Sequence, residues 1–149
     1  MIRYQGAYGQ YYRQLVYVRF AAAQQQYCAP ELRGQSIDGL ALIDTGAGQS
    51  AIAHDAASKL GLVSRTTQPV SGVTGEADCF VYSLRITLQS NGRYAGEERS
   101  WMSVKVFEAK FDSMPDATGL PVIGLIGRDM LSSLKVTFDG PNQSFVIDG

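Results

Sequence analysis

Between residues 80 and 88 the chain alternates: Phe80, Tyr82, Leu84, Ile86 and Leu88 are apolar, while Ser83, Arg85 and Thr87 are polar or charged. Side chains on a strand point to opposite faces in turn, so a period of two predicts a half-buried strand. Residues 15–20 (LVYVRF) are rich in β-branched and aromatic types and predict another strand. Residues 40–43 form a short apolar run closed by Asp44-Thr45-Gly46, which predicts a buried strand ending in a turn. A further strand is expected at residues 101–107 and a buried apolar segment at 122–127. Residues 135–138 and 144–147 flank Asp139-Gly140-Pro141-Asn142 and predict a hairpin.

Helical signals are few. Residues 53–60 are alanine-rich, with Gly61 where a left-handed C-terminal cap belongs, and residues 128–134 predict a second short helix. Residues 24–35, which contain Pro30 and Gly34, and residues 111–118, around Pro115, are expected as loops, and Asn91-Gly92 as a turn. No internal repeat is present, and strand–helix alternation stops after the first helix. The expected class is mainly β.

Composition narrows the function. A chain of 149 residues predicts one domain over 1–149, long enough to bury a core without disulfides or metal. It is too short for a large two-lobed enzyme. With 45% hydrophobic and 18% charged residues it is globular in composition. Thirteen basic residues against 14 acidic ones give a net charge of −1, so neither a nucleic-acid footprint nor a polybasic membrane patch is expected. No apolar run approaches the ~18 residues of a membrane span. Residues 1–20 interleave Gln, Arg and Tyr without an apolar core, unlike a signal peptide. The compartment stays unknown, although the chain fits the cytoplasm better than secretion. Cys28 and Cys79 lack zinc-site spacing and are expected as free buried thiols, with a single pairing left open. His54 is the sole histidine, so a two-histidine metal motif is excluded and no metal is expected. On a short helix it reads as a surface residue.

The candidate chemistry sits at Asp44. A carboxylate at the end of a buried strand is costly unless hydrogen-bonded. Thr45 offers a hydroxyl next to it, and Gly46 lets the backbone approach. That arrangement suits activation of water. Asp-Thr-Gly alone is a weak signal, because Asp and Gly are common turn residues. A competing motif, Gly46-Ala47-Gly48-Gln49-Ser50-Ala51, fits a glycine-rich dinucleotide fingerprint. It lacks an acidic residue ~20 positions on for the ribose, and Asp44 would face a pyrophosphate.

Asp44-Thr45-Gly46-Ala47, followed about 80 residues later by Leu125-Ile126-Gly127-Arg128-Asp129-Met130-Leu131, resembles the retropepsin-like aspartic proteases. The order of elements matches from about Leu15 to Ile147. The resemblance implies a single-lobe acid-protease-like closed β-barrel with one or two short helices, assembling as a symmetric homodimer. It implies Asp44, Thr45 and Gly46 as the catalytic loop and no cofactor. Substrate contacts would come from Ala47, Gly48, Ile126 and a flap, Gly72-Val73-Thr74-Gly75, in the stretch from Val70. The implied activity is hydrolysis of a peptide or protein by water held between two Asp44 carboxylates. A silent dimer of the same fold, acting as a binding or assembly module, would carry the same motifs, and a mostly-β ligand-binding protein with a coincidental Asp-Thr-Gly is the remaining rival.

One departure stands out. In retroviral members the residue matching Arg128 pairs with an Asp four positions after the catalytic one, and here that position is Gly48. The resemblance also implies end strands interleaved between subunits, here including residues 144–147. The tyrosines Tyr4, Tyr8, Tyr11, Tyr12 and Tyr17 are expected to pack or to form a terminal arm.

Overall fold

The structure, a computed structural model, describes residues 2–9, 13–64, 66–72, 75–110 and 119–149. In chain order its elements are β1 (Arg3–Ala7), β2 (Leu15–Ala22), β3 (Ser36–Ile43), β4 (Ala51–Ala53), α1 (His54–Lys59), β5 (Thr66–Gly72) and β6 (Gly75–Gln89). Then follow β7 (Glu98–Ala109), β8 (Val122–Ile126), α2 (Arg128–Leu131), β9 (Lys135–Asp139) and β10 (Ser144–Asp148).

Six strands close into a barrel in the order β2-β3-β8-β4-β7-β6, and β6 returns to β2 from Val18 opposite Leu88 to Ala22 opposite Leu84. Closure removes the exposed edges of these six strands. The β3–β8 and β4–β7 pairs are parallel and the others antiparallel. Val16, Val18, Phe20, Ile52, Leu84, Ile86 and Ile126 point inward and are fully or almost fully buried. β5 adds to β6 outside the closed ring.

A second sheet, β1-β10-β9, packs Ile2, Tyr4, Phe145 and Ile147 into the same core. Tyr4 stacks on Phe145 with ring centroids 5.8 Å apart, meets Tyr17 edge-on at 5.9 Å, and donates its hydroxyl to the Leu15 carbonyl at 3.3 Å. That hydrogen bond makes the buried phenol tolerable. Tyr4 and Tyr17 therefore pack as expected, while Tyr11 and Tyr12 lie outside the described residues.

Helix α1 ends as its sequence predicts. Gly61 takes φ +63, its N–H donates to the Ser58 carbonyl at 3.0 Å, and the Leu62 N–H reaches the Ala57 carbonyl at 3.1 Å. A side chain at that φ would be strained.

Several expectations need correction. Strands β1 and β4 carry no strong sequence signal, the first diluted by Gln5 and Gly6, the second only three residues long. The expected loop at 24–35 holds two single-turn 3-10 segments, Gln25–Tyr27 and Pro30–Leu32. Phe80 heads the apolar row but is 51% exposed, while Val81 is buried. From Phe80 back to Gly75, β6 has lost β7 and, among the described residues, pairs only with β5, so no described strand lies over Phe80 on that side. Both cysteines are free thiols, yet only Cys28 is buried, its Sγ donating to the Leu60 carbonyl at 2.9 Å; Cys79 is half-exposed on the outer stretch of β6. The expected loop at 111–118 lies outside the described residues. No helix among the described residues is long and apolar enough to cross a membrane.

Candidate active site

Asp44 leaves the barrel at the end of β3, where the parallel partner β8 runs alongside it. Its N–H donates to the Ile126 carbonyl at 3.0 Å, so the last residue of β8 fixes where the loop begins. The loop then folds onto its own carboxylate: the Gly46 N–H donates to Asp44 Oδ1 at 2.9 Å, and the Ala47 N–H to the Asp44 carbonyl at 3.2 Å. Asp44 is half-buried, and Thr45, Gly46 and Gly48 are exposed. The charged group thus has one oxygen satisfied by backbone and stands at a surface, where it can meet a second molecule.

Beneath the loop, α2 and its leading glycine form a support. A Cβ on Gly127 would lie 2.8 Å from the Gln49 carbonyl and 2.9 Å from the Ala47 carbonyl oxygen, so only glycine permits this approach. The Arg128 N–H donates to the Ala47 carbonyl at 2.8 Å, and its guanidinium Nη1 to the Thr45 carbonyl at 2.8 Å. Arg128 has therefore replaced the carboxylate partner that Gly48 cannot supply with a loop carbonyl. A Cβ on Gly48 would stand 3.5 Å from Arg128 Nη2.

Ser50 and Asp129 complete the support, and sequence reasoning missed Ser50. Asp129 accepts the Ser50 N–H at Oδ2 (2.9 Å) and the Ser50 hydroxyl at Oδ1 (2.8 Å). The same hydroxyl oxygen accepts the Gly127 N–H at 3.0 Å, and Asp129 Oδ1 also accepts the Met130 N–H at 2.9 Å. Arg128 and Asp129 are thus not a solvated charge pair; each reaches a different segment. The only available signal was a small hydroxyl residue shortly after Asp-Thr-Gly, which has no periodicity to mark it.

Asp44, Thr45, Gly46, Ala47 and Gly48 share this loop, and Ile126 lies directly below. The Ile126 side chain is 0% exposed and belongs to the core, so it offers the loop its carbonyl and no side-chain surface to a substrate. Gly72 and Gly75 face each other at the end of the β5–β6 hairpin, with Gly75 at φ +117. Val73 and Thr74 lie outside the described residues, and no hydrogen bond among the described residues joins this hairpin to the Asp44 loop. A cavity of about 440 Å³ between α1 and β8, lined by His54, Lys59, Lys110 and Ile123 among others, contains none of the expected site residues. There His54 Nδ1 lies 3.0 Å from Glu108 Oε1, which also accepts the Tyr82 hydroxyl at 3.0 Å. Burial, and then the Glu108 hydrogen bond and charge, push the Tyr82 phenol up to about 12. Among the described residues no group of three or more His, Cys, Asp and Glu could hold a metal ion.

No protein-family model matches the chain, and no curated protein sequence does. Solved structures do. A retropepsin-like aspartic protease from Rickettsia conorii superposes over 98% of this chain and 98% of its own, at 16% identity and a TM-score of 0.59. The EIAV protease complexed with the inhibitor HBY-793 aligns over 86% of this chain and 93% of its own, at 18% identity and a TM-score of 0.45. The closed six-stranded barrel, the strand-end Asp-Thr-Gly loop and the end-to-end match to the Rickettsia enzyme lead to one conclusion: this chain has the single-lobe retropepsin-like fold.

Proposed function

We propose that residues 1–149 form a single retropepsin-like domain that acts, as a homodimer, as an aspartic endopeptidase. The observation that carries this reading is the Asp44 carboxylate, held at a strand end by Ile126 and Gly46 and left at the surface with no second carboxylate in its loop. Hydrolysis by carboxylates needs a base for the water and an acid for the carbonyl oxygen. One chain supplies one such group. A twofold-related copy supplies the other, because an isologous contact brings the same residue to the axis from both sides.

Two carboxylates in contact cannot both ionise easily, so the pair shares one proton and titrates as a unit. The ionised Asp44 takes a proton from water as the oxygen attacks the scissile carbonyl. The protonated partner gives its proton to the carbonyl oxygen. Collapse of the tetrahedral intermediate then breaks the C–N bond, with the leaving amine protonated from the dyad. Thr45 and Gly46 hold the carboxylates, Ala47 and Gly48 border the cleft, and the hairpin bearing Gly72, Val73, Thr74 and Gly75 closes over the peptide. No cofactor takes part.

A proteome-derived peptide library tests this. Cleavage that disappears in Asp44→Asn, and that a hydroxyl-bearing peptide transition-state mimic blocks, is the expected result. Mixing wild type with excess Asp44→Asn should suppress activity beyond simple dilution. Cleavage surviving in Asp44→Asn ends the reading, and a dimer that binds peptides without cutting them is the silent binding module.

A further inference from the structure

We infer that the cavity between α1 and β8 is a binding site for a small apolar carboxylate. The ligand is one carboxylate on a hydrocarbon body, either a free acid or the carboxyl end of a peptide with an apolar last residue. The site is separate from the Asp44 loop, and the inference does not depend on the peptidase reading.

The cavity exists because a ladder stops short. β4 pairs with β8 through two residues, Ala51 opposite Leu125 and Ile52 opposite Gly124. After Ala53 the chain turns into α1, while Val122 at the start of β8 keeps β3 on one side, opposite Leu40. On the other side no described strand pairs with Val122 or Ile123. The residues that face this gap from β4 and α1 include Ala53 and Ala56, whose single methyl groups do not fill it. What remains is an opening of about 440 Å³, inside the roughly 300–1,000 Å³ of small-molecule sites.

Its floor is apolar. Ala53, Ala56, Val122 and Ile123 line it and are otherwise buried in the fold. A hydrocarbon body laid against them leaves water, which is favourable, whereas an inorganic anion would make no use of this wall.

Its rim is cationic. Lys59 is the last residue of α1, and Lys110 follows the end of β7; both are exposed and line the cavity. Among the described residues neither ammonium has a carboxylate partner. Arg3, Arg19 and Arg128, by contrast, are each engaged by a carboxylate or a carbonyl. Asp55 is the one acidic residue of the lining, and the Nδ1 of His54 is taken by Glu108, which does not line it. With His54 neutral, the lining carries two positive charges against one negative, in a chain of net charge −1. A cleft with that excess over low-dielectric walls concentrates anions. Two ammonium groups, donors only, match the two acceptor oxygens of a single carboxylate.

The test titrates 4-phenylbutyrate into the full chain by calorimetry and maps the site by amide shifts in NMR spectra. One site is expected, with the largest shifts at residues 53–59 and 121–123, and affinity should fall as salt is raised. 4-Phenylbutan-1-ol, 4-phenylbutylamine and inorganic phosphate should each bind more weakly. Lys59→Gln and Lys110→Gln should each weaken binding about two- to fivefold, the effect of one exposed charge pair, and Asp55→Asn should strengthen it about twofold. All three positions are exposed, so circular dichroism should show the wild-type fold. N-acetyl-Val-Leu, compared with its amide, separates the two sources. Tighter binding of that peptide acid than of phenylbutyrate assigns the site to peptide ends, and weaker binding assigns it to free acids. No binding at millimolar probe overturns the inference, as does equal binding of acid and alcohol. Indifference to all three substitutions, or shifts centred on Asp44, overturns it too. Binding is read without cleavage, so its failure and that of the peptidase reading are distinguishable.

Discussion

Ser50 and Asp129, 79 residues apart, hold each other through two hydrogen bonds, and the Ser50 hydroxyl simultaneously satisfies the Gly127 N–H. This contact locks the end of the Asp-Thr-Gly loop to the start of α2. Ser50→Ala would leave the buried Gly127 N–H unpaired and take from Asp129 Oδ1 one of its two hydrogen bonds. The expected cost is about 1–3 kcal/mol, seen as a Tm lower by about 3–10 °C in a thermal melt. Peptide turnover should fall with it, because Asp44 hangs from the same loop. An unchanged Tm would show that these bonds contribute nothing.

Arg128 offers a gain. With a Cβ on Gly48 lying 3.5 Å from Nη2, the carboxylate in Gly48→Asp reaches the guanidinium. Both positions are exposed, so the pair should add only about 0–1 kcal/mol. Its mark is salt dependence: a small rise in Tm at low ionic strength that vanishes in 1 M salt, and that is absent when Arg128 is replaced by Met. A rise that persists in salt would mean that loss of backbone freedom at Gly48 is responsible.

The Tyr82 phenol gives a pH prediction. Its pKa is raised from 10.0 to about 12 in the folded chain, by burial and by Glu108. The folded state therefore holds this proton more tightly than the unfolded one. Its contribution to stability is full below about pH 10 and is lost as pH rises through about 12. Tyr82→Phe should flatten that alkaline limb in denaturant titrations at stepped pH. A limb that keeps its slope would mean that another group dominates.

At the hairpin, Gly75 sits at φ +117 with no atom within 4 Å of a would-be Cβ. Replacing Gly72 and Gly75 by Ala together brings no clash at Gly75, only backbone strain there. Since the hairpin stands outside the closed ring, Tm should move by no more than about 2–4 °C, while peptide turnover drops strongly. Full turnover would place the substrate flap elsewhere, with Gly92–Gly96 the next candidate.

What was legible in the sequence is what repeats. The row Tyr82, Leu84, Ile86, Leu88 shows its period within one strand, and Gly61 announces its cap because one residue type dominates that position. Asp44 and Gly127 were found because each lies inside a short motif. Ser50 was not, since its partner is distant in sequence and a single serine has no pattern. β4 was missed, its last residue being read as the start of the helix, because Ala51-Ile52-Ala53 is too short to show alternation. Phe80 misled because a period reports which face a side chain takes, and says nothing of whether a neighbouring strand covers that face.

The place of β1 beside β10 also bears on the order in which the molecule forms. Arg3 meets Asp148 across 145 residues, and Asn91 closes over the other side of the strand. During synthesis β1 has no strand partner until β10 leaves the ribosome. Contacts of such long range are slow to form, because the whole intervening loop must be closed before they stabilise anything. The barrel from Leu15 to Ile126 can assemble first, with the terminal sheet added last. The Asp44 loop, set between β3 and β8 of that barrel, would then be in place before the terminal sheet closes.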